Sequence, residues 1–319
     1  MIKKQIIIVS GPTAIGKSDL ALQLGDHIEI VNADIGSFYK ELAIGTAKPD
    51  WQNQTIPHHF FDVIDDTSSW TAPQFRQKLE ILIEEIWSHG NTPVIVGGSA
   101  FYIQAIFYKN HTLELPDADL ITSLEEQSSH DLWQRLHQID PARAAVIDKN
   151  DQYRLVRALA IWQTQGQKPS DFQPIFDPLA SFYFVTLSRD RNQLYDMINQ
   201  RVQIMMQAGW LDEVRSLLDD GPWQEFMLKK KIIGYDLLAA HLLGHCSEQS
   251  LDEIVDLIAQ KTRNYAKRQI TFLSKLQKSV QQAIKLDAQY QDCKVEEFDV
   301  STVDRQSVSD AIKDEFGAL

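Results

Sequence analysis

Gln5-Ile6-Ile7-Ile8-Val9-Ser10-Gly11-Pro12-Thr13-Ala14-Ile15-Gly16-Lys17-Ser18 decides the fold. The β-branched run Ile6–Val9 has no polar alternation, the pattern of a strand buried on both faces of a parallel sheet. Gly11 to Ser18 then completes a G-x4-G-K-[ST] loop, and Leu20, Ala21 and Leu24 follow at helical spacing. Strand, glycine-rich loop and helix in that order are the context a phosphate loop requires. Its glycines let backbone N–H groups turn inward on phosphate oxygens. Lys17 supplies a point charge, and the Ser18 hydroxyl can take Mg²⁺ as a metal ligand.

Outward from this loop the alternation continues. His27–Asn32 and Pro93–Val96 read as buried strands, Gln74–Ser88 as an amphipathic helix, and Phe182–Ser188 as a return to strand. Between residues 113 and 178 the β signal vanishes, and 117–129, 131–138, 141–147 and 151–165 read as short helices. From Arg191 the chain is mainly helical, with a long segment over Leu251–Ile284. The expected fold class is α/β: a P-loop NTPase-like parallel sheet core, an all-helical insertion domain and a helical C-terminal part. The core takes residues 1–112 and 179–286, the insertion 113–178, and an acidic C-terminal tail of weak periodicity 287–319.

The 319 residues, 44% apolar and 24% charged, exclude a disordered or fibrous chain and suit a core plus an insertion. Cys246 and Cys293 form no disulfide framework or metal spacing, which points to a reducing compartment. The apolar run after Lys3-Lys4 is too short for a signal peptide, and no stretch approaches a membrane span, so the expected setting is cytoplasmic. A net charge of −13 argues against a generic basic nucleic-acid binder. The charge is uneven, however. Residues 257–286 hold Lys261, Arg263, Lys267, Arg268, Lys275, Lys278 and Lys285 and no acid, and Lys229-Lys230-Lys231 lies just upstream. Recognition depends on such local patches rather than on the total.

A phosphate loop specifies phosphate, not a reaction. Asp34 follows directly on the second strand, at the rim where α/β folds bind ligands. Val94-Ile95-Val96-Gly97-Gly98 lacks the usual metal-binding aspartate, and no guanine-reading Asn-Lys-x-Asp is present. A GTPase is disfavoured; a small-molecule kinase or another pyrophosphate-handling enzyme is left.

More blocks narrow this. The loop 11–18, Asp34 with Tyr39-Lys40, Ile44-Gly45-Thr46-Ala47-Lys48-Pro49, Pro57-His58-His59, Gly97-Gly98-Ser99 with Tyr102, and Leu115-Pro116 come first. Arg154-Leu155-Val156-Arg157, Gly209 to Val214, Gly234-Tyr235 and Ala266-Lys267-Arg268-Gln269 follow. In this order the set resembles the tRNA dimethylallyltransferases, or tRNA Δ2-isopentenylpyrophosphate transferases, of the IPP transferase family. The resemblance implies transfer of a dimethylallyl group from dimethylallyl diphosphate to N6 of the adenine 3′ to a tRNA anticodon, with Mg²⁺ as cofactor. A P-loop kinase and a prenyltransferase acting on free adenylate are the alternatives. Gly11, Pro12, Thr13, Ala14, Ile15, Gly16, Lys17 and Ser18 would then hold the diphosphate, with Lys17 and Arg191 as catalytic cations. Asp34 would be the general base and Ser99 a hydroxyl at the pocket mouth; the alternatives are an N-cap for Asp34 and a helix cap for Ser99.

Expected contacts to the tRNA anticodon stem-loop are Asp34, Ile35, Gly36, Ser37, Ser99, Tyr153, Arg154, Leu155, Val156, Arg157, Lys231, Gly234, Tyr235, Lys267, Arg268 and Gln269. A monomer without membrane contact is expected. His58-His59 reads as structural rather than metal-binding. Ile15, Ile35-Gly36-Ser37, Ser99, Ser123, Asp236 and Phe272 depart from the family pattern without removing its central residues.

Overall fold

In the computed structural model, β1 (Gln5–Ser10) lies inside a six-stranded parallel sheet, with Ile6 to Val9 wholly buried. The described residues are 4–109, 117–230, 232–245 and 248–316; Lys231, Leu115, Pro116 and Cys246 lie outside them. After β1 come α1 (Lys17–Ala21), β2 (Ile28–Asn32), β3 (His58–His59), α2 (Ala72–Ser88), β4 (Thr92–Gly97) and α3 (Ala100–Phe107). The helical segment holds β5 (Tyr108–Lys109), α4 (Ala118–Glu125), α5 (Ser129–Ile139), α6 (Pro141–Ala144), α7 (Gln152–Gln165) and β6 (Ile175–Phe176). Then follow β7 (Ser181–Ser188), α8 (Arg191–Gln207), α9 (Trp210–Leu218), α10 (Gly221–Lys230) and α11 (Tyr235–Leu242). The chain closes with α12 (Leu251–Leu286), β8 (Lys294–Asp299) and α13 (Arg305–Phe316).

The strand order is β3-β2-β4-β1-β7-β8. Ser10 pairs with Gly97 and Thr186 at the carboxyl edge, so the loops after β1, β2 and β4 emerge side by side. This is where a parallel sheet leaves a crevice for ligands. Local chemistry fixes the flanking helices: α2 begins with a Thr71/Gln74 capping box and α12 with a Ser250/Glu253 capping box, each satisfying otherwise orphaned N–H groups. None of the helices among the described residues is long and apolar enough to cross a membrane.

The chain divides into two compact units, residues 1–107 with 178–319 and residues 108–177. The smaller unit has its own core, including Leu132, Leu136, Leu155 and Leu159. It starts before residue 113 because Tyr108-Lys109 pairs antiparallel with Ile175-Phe176, a ladder too short to leave a sequence signal. Asp117, Ser128, Asp140 and Asp151 cap its helices. Burial works to raise the Asp140 carboxyl, yet N–H donation from Arg143 and Ser170 brings it below the usual range.

The reading of 287–319 as a tail is corrected. β8 extends the sheet in parallel from Tyr183↔Lys294 to Ser188↔Asp299. Helix α13 buries Val308 and Ile312 in the core that holds Ile15, Leu20 and Leu24. An edge strand exposes much of its surface, so Glu297 and Asp299 made the segment look solvated.

Candidate active site

The phosphate loop is pinned from inside the protein. Lys17 is buried, and its Nζ donates to the carbonyls of Gly11 at 3.2 Å and Pro12 at 3.0 Å. Burial lowers its pKa, the Asp34 charge opposes that shift, and the nearby Arg201 guanidinium adds to it. Gly16 sits at φ 94°, in the left-handed region that favours glycine. Gln269 on α12 ties the loop to the turn after β4: its Oε1 accepts from Thr13 N at 2.9 Å and its Nε2 donates to Gly98 O at 2.9 Å.

Asp34 occupies the N-cap position of the short turn 35–38 but makes no side-chain cap. Its Oδ1 instead accepts from Gly98 N at 2.6 Å and from Ser99 Oγ at 3.4 Å. The Ser99 hydroxyl in turn accepts from Ile35 N at 3.0 Å. Both side chains therefore turn toward each other across the β2 and β4 loops; Asp34 makes no side-chain cap, while the Ser99 carbonyl accepts the first helical bonds of α3 from Tyr102 N and Ile103 N. Asn32 sets the approach, with Oδ1 accepting from Asp34 N at 2.9 Å and Nδ2 donating to Asp34 O.

These groups line one cavity of about 930 Å³, together with Thr13, Ser18, Arg201 and Tyr265. Its remaining wall includes Met197, Ile204, Met205, Phe226 and Ile233. A cationic end, a carboxylate and an apolar wall thus share one space. Several members were missed in the sequence, Arg201 and Tyr265 among them. Arg201 on α8 has its pKa lowered by burial, partly offset by the charges of Asp34 and Asp19. Burial and the Asp34 charge push Tyr265 up to about 12, against contacts with Ser99 and Gln269, so its phenol stays protonated. Neither lies in a conspicuous motif; only helical spacing from Ile198 and from Lys261 or Arg268 carries them to that face.

Other expected site residues are placed elsewhere. Arg191 is exposed at the start of α8, where its Nε donates to Tyr195 Oη, and it does not line the cavity. Arg201, nearly three turns further along α8, does line it, as do Arg268 and Arg305. Leu155 and Val156 are buried in the core of the helical unit, because α7 turns its apolar face inward. Tyr153, Arg154 and Arg157 are exposed on that helix, and Arg154 pairs with Asp151 at 3.0 Å.

Tyr235 is fully buried and donates to Glu213 Oε1 at 2.5 Å. A Cβ on Gly234 would lie 2.1 Å from the Trp210 ring, so this glycine exists for close packing. Glu213 also accepts from Ala43 N, Ile44 N and Gly45 N, which anchors the Ile44–Ala47 loop. The blocks 44–49, 209–214 and 234–235 are therefore one structural assembly, and Gln269 is a buried strut. Ile35, Gly36 and the buried Ser37 all line the cavity. Lys267 and Arg268 are exposed, and Arg268 reaches the cavity lining. Lys261 and Arg263 are spent internally, on Asp236 and Asn199.

His58 and His59 serve hydrogen bonds. His58 Nδ1 contacts Ile56 O, and His59 Nε2 lies 2.6 Å from Glu29 Oε2. Glu29, 2% exposed, also receives His89 and Asn91; burial opposes ionisation, but these partners lower its pKa overall.

The profile of the IPP transferase family matches residues 37–276. The chain belongs to the IPP transferase family. It is 37% identical over 279 residues to tRNA dimethylallyltransferase 1 of Citrifermentans bemidjiense, an alignment covering 86% of this chain and 90% of that one. The solved tRNA Δ2-isopentenylpyrophosphate transferase of Staphylococcus epidermidis superposes with a TM-score of 0.64 at 26% identity, over 98% of both chains. A eukaryotic dimethylallyltransferase caught acting on tRNA gives a TM-score of 0.76 at 25% identity, over 97% of this chain and 78% of that one. IPP transferase membership and the α/β architecture agree with the expectations from sequence.

Proposed function

We propose that this IPP transferase moves a dimethylallyl group from dimethylallyl diphosphate to the exocyclic N6 of the adenine 3′ to a tRNA anticodon. The observation that carries the reading is the sharing of one cavity by Asp34 and the cationic phosphate loop. The C1–O bond of the donor breaks, and its electron pair leaves with diphosphate. The N6 lone pair forms the new C–N bond, and the N6 proton passes to the Asp34 carboxylate. Loop N–H groups, Lys17 and Arg201 stabilise the charge gathering on the leaving group. Ser99 and Gly98 N–H hold Asp34 in place for that proton.

Mg²⁺ fits the donors present. It keeps several waters and takes few protein ligands beside substrate phosphates. Ser18 offers one exposed hydroxyl in the cavity, and the described residues contain no cluster of three or more His, Cys, Asp or Glu side chains suited to a cage. Bound there, the ion would shield the diphosphate charge.

A stacked adenine cannot reach Asp34, so the base must be extruded into the pocket. Lys267, Arg268, Lys275 and Lys278, all exposed on α12, supply the phosphate-neutralising surface. Tyr153, Arg154 and Arg157 give the helical unit its own RNA-contacting face. A cytoplasmic monomer completes the reading.

The test incubates the protein with Mg²⁺, labelled dimethylallyl diphosphate and an anticodon stem-loop carrying the adenine. Label enters RNA and diphosphate is released without ATP. Label in free adenylate instead of RNA, or ATP hydrolysis without RNA labelling, overturns the reading.

A further inference from the structure

We propose that Arg305, the first residue of α13, is a ligand of the donor diphosphate, so that the C-terminal segment completes the phosphate site. This rests on the reading of the cavity as a prenyl-diphosphate site. Arg305 lines that cavity beside Thr13, Gly16 and Ser18. Its Nη1 donates to Asp19 Oδ2 at 2.9 Å. A Cβ on Gly16 would lie 2.3 Å from Nη2, 2.6 Å from Cζ and 2.8 Å from Nε. The guanidinium therefore rests directly on the loop at Gly16, where no side chain intervenes.

With Nη1 taken by Asp19, the Nε and Nη2 edge donates to no described residue. That edge is the fork by which an arginine grips two oxygens of a phosphate. The docking of α13 does not depend on it. Val308 and Ile312 are wholly buried, and Ser309 Oγ donates to Gln23 O at 2.9 Å. An exposed ion pair to Asp19 would add little to that anchorage. The helix is otherwise acidic, with Asp310, Asp314 and Glu315 against Lys313, so its one cation at the loop stands out.

Asp19 follows the metal-binding candidate Ser18 and by itself would repel a diphosphate. Arg305 cancels that charge, and Asp19 orients the guanidinium in return. Asp19 is thus a positioning residue and Arg305 the ligand.

Wild-type protein, Arg305→Gln and Arg305→Lys are titrated with inorganic diphosphate in Mg²⁺, and donor KM, RNA KM and Tm are measured in parallel. Arg305→Gln is expected to weaken diphosphate binding and raise donor KM by about tenfold, the usual weight of one charge-assisted hydrogen bond. RNA KM and Tm stay at wild-type values, and Arg305→Lys recovers part of the loss. Diphosphate affinity in Arg305→Gln matching wild type overturns the proposal. So does a loss shared by RNA KM and Tm, which is what a helix latch alone would give. Wild-type protein that binds diphosphate but prenylates no RNA sinks the proposed function, while the affinity ratio still decides the role of Arg305. Wild-type protein that binds no diphosphate overturns both.

Discussion

Replacing Asp34 with Asn isolates the proton acceptance assigned to that carboxylate. Asparagine has the same shape, and its Oδ1 can still accept the Gly98 N–H that now lies 2.6 Å from Asp34 Oδ1. The Ser99 hydroxyl and the Asn32 contacts also survive. Only the basic oxygen is lost. A positioned general base contributes about 10²–10⁴-fold, or about 3–5 kcal/mol of barrier. With enzyme in excess over labelled donor, the single-turnover rate of Asp34→Asn should fall by at least about a hundredfold. RNA affinity, read by fluorescence anisotropy, should stay within about threefold of wild type, because the removed interaction belongs to the transition state. A single-turnover rate within about tenfold of wild type refutes the base assignment. A parallel collapse of RNA affinity would refute it too, since Asp34 would then be a binding group.

Glu29→Gln should lower stability by about 1–3 kcal/mol at pH 7 while leaving prenyl transfer intact, because a buried carboxylate serving His59, His89 and Asn91 is replaced by an amide that cannot serve all three. The Glu29 pKa is depressed in the folded state, so its contribution is present above the ordinary value of 4.5 and is lost as pH falls through the lower folded value. Denaturant titrations of wild type and variant should therefore converge in acid. Gly234→Ala forces a Cβ into the Trp210 ring at φ 91° and should cost about 1–3 kcal/mol by thermal or chemical unfolding. Lys267→Gln with Lys275→Gln should reduce the slope of log affinity against log salt for the stem-loop by about 2, with RNA sequence preference unchanged. An unaltered slope would remove α12 from the RNA surface.

The sheet and its phosphate loop were legible because Ile6–Val9, Val94–Val96 and the glycine spacing are local signals. Asp34 and Ser99 were legible for the same reason, each standing next to a strand end. Arg201, Tyr265 and Arg305 were not: the first two reach the cavity from helices that read as ordinary amphipathic pattern, and Arg305 from a segment that read as an acidic tail. Family motifs misled in the opposite direction. Leu155, Val156 and Tyr235 belong to the blocks of the resemblance but are buried, Gly234 carries no side chain, and Gln269 braces the cavity that it lines. A motif marks a position that tolerates little change, and close packing is as strict a reason as substrate contact. Edge strand β8 stayed hidden because half of its surface faces water.

The docking of α13 on α1 has a consequence for biosynthesis. The phosphate loop leaves the ribosome well before α13, yet Ile15, Leu20 and Leu24 share their core with Val308 and Ile312. A nascent chain that has reached residue 290 lacks both the sheet's last strand and the helix that covers the loop. β1 can pair with β4 and β7 before then, but the part of the core between α1 and α13 joins positions nearly 300 apart, long-range contacts of the kind that slow folding. Prematurely terminated products would present an open, apolar flank beside the donor pocket. Donor-binding competence therefore reports that translation has run past α13, and cellular proteolysis should clear the shorter chains first.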